Sequence, residues 1–165
     1  MNHIMLDLET MGNGVNAAII AIGAVRFTNE IKDKFYETID LRSSVELGLD
    51  MDPETVLWWM QQCEDARAQF KQKGKQIQSV LVRFTQWIGD DAVMWGNGAD
   101  FDNAILANAY KKCHLEQPWK FWNNRCYRTV KNMYPNIEMV RTGTHHNAVD
   151  DAESQALHLL HILAR

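Results

Sequence analysis

Asp7 and Glu9 stand two residues apart in Ile4-Met5-Leu6-Asp7-Leu8-Glu9-Thr10, interleaved with Leu6 and Leu8. Such alternation reads as a β-strand, with both carboxylates on one face and both leucines on the other. Carboxylates held side by side repel each other, and a fold that keeps them paired usually sets a cation between them. Mg²⁺ and Mn²⁺ prefer oxygen ligands and take one or two carboxylates each from a protein. An edge strand with one solvated acidic face explains the same pair on its own. Two further groups weigh against that bland reading. Asp102 follows Gly96-Asn97-Gly98-Ala99-Asp100-Phe101, a glycine-containing loop between a short apolar strand and a helix. Asp100 and Asp102 are both candidates there, one as a helix cap and the other turned toward the strand ends. That edge of an α/β sheet is where ligands usually sit. His146 and Asp151 bracket the start of the last helix, within Thr144-His145-His146-Asn147-Ala148-Val149-Asp150-Asp151. A histidine in the loop and an aspartate in the first turn put both side chains at one mouth. Capping and solvation account for each group alone; for all three sets together they require three coincidences.

The elements that must position these groups are legible in outline. Gly12-Asn13-Gly14 signals a turn after the first strand. Ala17 to Phe27 is a β-rich run, Asn29-Glu30 breaks it, and Asp33 to Leu41 resumes as a third strand. Three strands on short turns predict an antiparallel meander. Asp52-Pro53-Glu54 then starts a helix, with aspartate as cap and proline in the first turn. Trp58 and Trp59 cannot both face one core at helical spacing, so one lines a surface or pocket unless both are wedged between layers. Trp59 is the candidate platform for a base. Lys71-Gln72-Lys73-Gly74-Lys75 reads as a solvated loop rather than a phosphate strip. Ile77, Val80, Leu81, Phe84, Trp87 and Ile88 repeat at helical spacing and predict a core helix, ended by Asp90-Asp91. Ala92-Val93-Met94-Trp95 is a short apolar strand, and Val149, Ala152, Ala156, Leu159 and Leu160 form the docking face of the last helix. A meander followed by alternating helices and strands predicts an α/β mixed sheet with helices on its faces.

Composition narrows the function classes. The chain has 165 residues, 46% hydrophobic and 23% charged, as expected of one soluble domain spanning 1–165. No apolar run is long enough for a membrane and no secretory pattern opens the chain, which predicts a cytoplasmic protein with no membrane partner. Cys63, Cys113 and Cys126 are odd in number and form no C-x-x-C pair, so reduced thiols are expected. A net charge of −4 argues against strong non-specific nucleic-acid binding, but a carboxylate-rich metal site leaves a nucleic-acid substrate open.

As an ordered set, Asp7-Leu-Glu9-Thr, Phe101-Asp102 and His146-x-x-x-x-Asp151 resemble the DEDD-type 3′–5′ exonucleases, and the histidine spacing resembles the DEDDh branch. Asn16-Ala-Ala-Ile, Thr55-Val-Leu-Trp-Trp, Trp95-Gly-Asn-Gly-Ala, Phe101-Asp-Asn and Pro118-Trp-Lys-Phe-Trp-Asn-Asn-Arg125 are similar to a small phage and bacterial group. That group is often labelled exodeoxyribonuclease VIII-like and contains a mycobacterial exoribonuclease. The resemblance covers essentially the whole chain. It implies a ribonuclease H-like fold: a mixed five-stranded sheet, a meander of three strands plus two more, flanked by helices. Two divalent ions, Mg²⁺ or Mn²⁺, roughly 3.5–4 Å apart are implied. Asp7 would bridge both, Glu9 and Asp151 complete the ion that holds the attacking water, and Asp102 support the other. His146 would take the proton of that water. His145 is the competing base, set second because His146 carries the family spacing and its neighbour is expected to point away.

The implied substrate is nucleic acid with a free 3′ end, as a single strand or overhang, cut to nucleoside 5′-monophosphates; DNA and RNA both remain open. The backbone near Thr10 and the side chain of Met11 would hold the terminal nucleotide, with Met11 wedged against its base. Trp59 and the segment from Trp119 to Arg125 are wall candidates, Trp119 and Phe121 being read as structural. Cys126 departs from the pattern, standing where some relatives are acidic. Few basic residues flank the motifs, so modest affinity and low processivity are expected. A homodimer, and a bacterial or phage-infected cell, rest on the resemblance alone. Two alternatives stay open: a non-catalytic binding module, which usually lacks one of the ligands, and a ribonuclease H-type endonuclease, which lacks the histidine spacing.

Overall fold

In the computed structural model, which describes residues 2–164, the alternating acidic strand lies at the middle of the sheet. β1 (Asn2–Thr10), β2 (Ile19–Phe27) and β3 (Ile31–Thr38) form the expected antiparallel meander. Leu41 does not extend β3; it opens α1 (Leu41–Glu46), because the Asp40 carboxylate accepts the Arg42 N–H at 3.1 Å and caps a helix there. α2 (Pro53–Met60) begins on the Asp52 cap as expected, followed by the short α3 (Glu64–Arg67) and by α4 (Ile77–Ile88). β4 (Ala92–Gly96) leads into α5 (Asp102–Lys112), and β5 (Asn124–Cys126) into α6 (Tyr127–Met133); α7 (Ala148–Leu163) closes the chain. The sheet order is β3-β2-β1-β4-β5, with β4 parallel to β1 and β5 parallel to β4.

Centrality answers the edge-strand alternative. On one face of the sheet Ile4, Leu6 and Leu8 pack with Val80, Leu81 and Phe84 of α4 and Ile105 and Leu106 of α5. On the other, Met5 packs with Tyr127 of α6 and with Ala152, Ala156 and Leu159 of α7. Glu9 is only 6% exposed, so its carboxylate is not a solvated surface group. The Lys71–Lys75 loop is solvated as expected, and two of its lysines already have carboxylate partners, Lys71 on Glu64 and Lys75 on Glu37. Trp119 is a core residue whose indole donates to Asn124 at 3.0 Å, but Phe121 is not structural: it is 72% exposed against Trp122. Among the described residues the three cysteines are free, and no helix is long and apolar enough to cross a membrane.

One glycine brings the end of the chain to its beginning. Gly23 pairs with Asp7 across β2 and β1. A Cβ at Gly23 would come within 2.1 Å of the Ala148 carbonyl carbon and 2.2 Å of the Val149 nitrogen. The bare strand therefore lets the first turn of α7 settle directly beside Asp7. Both clashing atoms are backbone, so nothing can rotate aside. Gly23→Ala is expected to cost about 1–3 kcal/mol by overpacking. It should also shift the start of α7, lowering hydrolysis by more than the stability loss explains; thermal melts and nuclease assays on the folded variant check both.

Candidate active site

Four carboxylates converge where β1 and β4 end. The β1–β4 ladder stops at Leu6 and Gly96, which leaves the Leu8 N–H without a strand partner. Asp102, the first residue of α5, supplies one: its Oδ1 accepts that N–H at 3.1 Å. This places Asp102 beside Asp7 and Glu9, while Asp100 is exposed and caps nothing; the cap position belongs to Phe101. Asp151 arrives from the first turn of α7, which is capped by Asn147. Its Oδ2 accepts the His146 N–H at 2.8 Å and its Oδ1 accepts from Arg141 Nη1 at 2.7 Å. One oxygen each from Asp7, Glu9 and Asp151 lie within 4.8 Å of one another. Asp151 also shares a second such group with His145 and His146. The groups line a cavity of about 250 Å³.

Burial, with mutual repulsion at Asp7 and Glu9, raises the proton affinity of three of these carboxylates. Burial, then the charges of Asp102, Glu9 and Asp151, push the Asp7 carboxyl well above the usual range, against one hydrogen bond from Gln155. Glu9 is pushed up to about 9 by burial and then by Asp151 and Asp102. Asp102 is raised to about 7 by burial, opposed by backbone donors at Leu8 and Asn97. A site that holds protons this firmly is one that cations can fill instead. Its all-oxygen carboxylate set fits hard divalent ions such as Mg²⁺ and Mn²⁺.

The stability consequence has a definite sign. Carboxyls whose folded pKa lies above the unfolded value support the fold while protonated and cost stability as pH rises toward the folded value. Without metal, melting temperature is therefore expected to fall as pH rises from about 4, the ordinary carboxylate value, to about 9, the Glu9 value. Mg²⁺ or Mn²⁺ should raise it more at pH 8 than at pH 5, since the ligands must be deprotonated. Scanning fluorimetry in chelator and in each ion checks this, with Glu9→Gln expected to flatten the pH slope.

A second chamber, of about 660 Å³, adjoins the first and shares Leu8, Glu9 and Phe101 with it; Thr10, Asn13, Leu57 and Trp58 add to its wall. Three expectations change here. Met11 is 7% exposed and packs in the core with Leu6 and Leu8, because β1 ends at Thr10 and its alternation ends with it. It offers no wedge to a base. Trp59 reaches the chamber wall but is only 3% exposed, and its indole donates to the Thr10 carbonyl at 2.9 Å, so it sets the backbone more than it presents a stacking face. The open ring belongs to Trp58, 41% exposed and edge-on to His146 at 4.9 Å. His145 does not point away; it stacks on His146 at 3.8 Å and lines the same cavity.

Residues 2–163 match the family described as the 3′-5′ exoribonuclease Rv2179c-like domain. The chain belongs to that family. It is a nuclease by that family, and its fold is the one seen in DEDDh 3′–5′ exonucleases, in keeping with the ordered motifs. This Rv2179c-like chain is 24% identical over 159 residues to an exodeoxyribonuclease of Enterobacteria phage T4, covering 78% of the chain and 70% of that protein. It is 29% identical over 174 residues to a PolC-type DNA polymerase III of Listeria welshimeri, covering 93% of the chain but only 11% of the polymerase. Among solved structures it superposes on the nuclease domain of 3′hExo, a DEDDh family member bound to rAMP. The TM-score is 0.66 at 17% identity, over 99% of the chain and 92% of that domain. Escherichia coli exonuclease I in complex with a dT13 oligonucleotide gives 0.71 at 14% identity, over 99% of the chain and 41% of that protein. These likenesses establish the ribonuclease H-like fold.

Several residues of the site carry no obvious sequence signal. Gln155 donates to Asp7 Oδ1 at 2.9 Å while its own buried Oε1 has no partner among the described residues. Its spacing of four from Asp151 places both on one helical face, which is the only hint. A glycine inside a strand, as at Gly23, hints at close backbone approach. Arg141 lies in an irregular segment, and its pairing with Asp151 has no sequence mark at all.

Proposed function

We propose that residues 1–165 act as one exonuclease domain that removes nucleoside 5′-monophosphates from the 3′ end of single-stranded DNA or RNA, or of 3′ overhangs. The observation that carries this reading is the convergence of Asp7, Glu9 and Asp151 oxygens within 4.8 Å, with Asp102 and His146 lining the same cavity. Four carboxylates carry the charge that two divalent ions cancel. When bound, Mg²⁺ or Mn²⁺ would neutralise the phosphoryl oxygens, activate water and help the 3′ oxygen leave. Asp7 would bridge the two positions, Glu9 and Asp151 complete one, and Asp102 serve the other.

His146, held at its backbone by Asp151, accepts the proton of the attacking water. The terminal nucleotide enters the aromatic chamber, where the Thr10 backbone, fixed by the Trp59 indole, meets the sugar and Trp58 offers its ring to the base. The similar structures hold rAMP in one case and dT13 in the other, which supports a fold able to admit either sugar. A time course on 5′- and 3′-labelled DNA and RNA, with Mg²⁺, Mn²⁺ or chelator, tests the reading. Stepwise shortening of 5′-labelled strands, stopped by chelator, is expected, and circular single strands should stay intact. Cleavage of the circle would replace the reading with an endonuclease.

A further inference from the structure

The two chambers differ in charge, and the difference gives the substrate a direction. Among the described residues, the wall of the aromatic chamber carries Glu9 and Glu54 and no lysine or arginine. The acidic cavity is bordered by three cations, Arg128 and Lys131 of α6 and Arg141 of the segment before α7. Arg128 and Lys131 are three apart on one helix and so share a face. The Arg128 guanidinium donates to the Asn97 carbonyl, which holds it over the end of β4 near Asp102. Neither Arg128 nor Lys131 forms a salt bridge among the described residues. Arg141 has one, through Nη1 alone to Asp151, and the rest of its fork is uncommitted. Its segment is fixed to α7 by the Thr142 N–H on Ser154 at 2.9 Å and by His158 on the Ile137 carbonyl at 2.8 Å.

A floor of carboxylates filled by cations cancels its own charge. What remains to attract a polyanion within the cleft is the Arg128, Lys131 and Arg141 side. We propose that these three form a phosphate wall. They hold the backbone phosphates on the 5′ side of the scissile bond, so that a strand with its 3′ nucleotide in the aromatic chamber leaves along α6. Arg141 has the further task of balancing Asp151; with a cation held at that carboxylate, its fork would be free for bidentate phosphate contact. This assignment rests on the exonuclease reading above.

The test uses the full chain and an Arg128→Ala/Lys131→Ala variant; both side chains are exposed, so the fold should hold. The probe is a 5′-fluorescein ten-nucleotide single strand whose last linkage is an uncleavable methylphosphonate. Its binding is followed by anisotropy across a salt series. Losing two phosphate contacts should lower the salt slope by about 1.4, at roughly 0.7 per contact, and weaken binding about tenfold. The charge-conserving variant, Arg128→Lys/Lys131→Arg, should keep the wild-type slope.

In parallel, kcat/KM on the cleavable strand, divided by kcat/KM on the p-nitrophenyl ester of thymidine 5′-phosphate, should fall about tenfold. The ester has no upstream phosphate to grip. A wild type that hydrolyses both substrates, with an unchanged slope in the folded double variant, overturns the wall alone. A wild type that hydrolyses neither overturns the exonuclease reading and the wall with it.

Discussion

Asp7→Ala and Asp151→Ala are each expected to abolish hydrolysis while the chain still folds. Divalent ions contribute several kcal/mol of transition-state stabilisation in phosphoryl chemistry. At tenfold per 1.36 kcal/mol, losing that amounts to roughly a thousandfold or more in rate. The two variants reach this end by different routes. Asp7 sits between Glu9, Asp102 and Asp151 and, among the described residues, accepts a side-chain hydrogen bond from Gln155 alone, so its removal would delete the ligand proposed to be shared and relieve repulsion. Without metal at pH 8, Asp7→Ala should therefore melt no lower than wild type, as scanning fluorimetry of the two side by side checks. Asp151 also receives the His146 N–H and the Arg141 guanidinium. Its removal should loosen the histidine loop as well as the carboxylate floor, with a small loss of stability that Asp7→Ala does not share. Degradation of a labelled strand by either variant at near wild-type rate, on a gel time course, would remove both residues from the chemistry.

The parts of this site that the sequence makes legible are those encoded locally. Alternation around Asp7 and Glu9 reports a strand, the Asp52-Pro53 pair reports a helix start, and His146 with Asp151 reports a loop running into a helix. Order along the chain then identifies the family, because three weak motifs in sequence are far rarer than any one. What the sequence conceals depends on distant partners. Asp102 takes its place from a Leu8 N–H 94 residues away, left free only because β4 stops at Gly96. Choosing between Trp58 and Trp59 requires knowing that the Thr10 carbonyl lies over α2, since that bond buries Trp59 and leaves its neighbour open. Met11 is misread for a related reason: strict alternation does not continue past the end of β1. Leu41 fits a strand pattern until Asp40 is recognised as a cap. Phe121 looks like core by type, yet among the described residues no element covers the aromatic pair it forms with Trp122.

His146→Ala is expected to lower turnover by roughly two to four orders of magnitude, the share a positioned general base contributes. Its surroundings suit that role. The residue sits at φ 63°, a left-handed conformation uncommon for anything but glycine, asparagine, aspartate or histidine. Its N–H is fixed by Asp151, its carbonyl accepts from Gln69 at 3.1 Å, and Trp58 packs edge-on against its ring. A strained backbone held from three sides keeps the imidazole at the cavity instead of in solvent. Burial, and next the stacked His145, push its pKa below the ordinary value, against the pull of Asp151. The neutral, proton-accepting form is thus present at lower pH than for a free histidine, and the acid limb of wild-type kcat/KM should lie below about 6.5. His146→Ala should flatten that limb. Calorimetric Mn²⁺ binding should persist in the variant, because the carboxylate floor is untouched. His145→Ala separates the two rings: it should keep most activity and move the acid limb upward, since a neighbour that disfavours the charged form is gone. A His146→Ala enzyme with normal turnover beside a dead His145→Ala enzyme would transfer the base to His145.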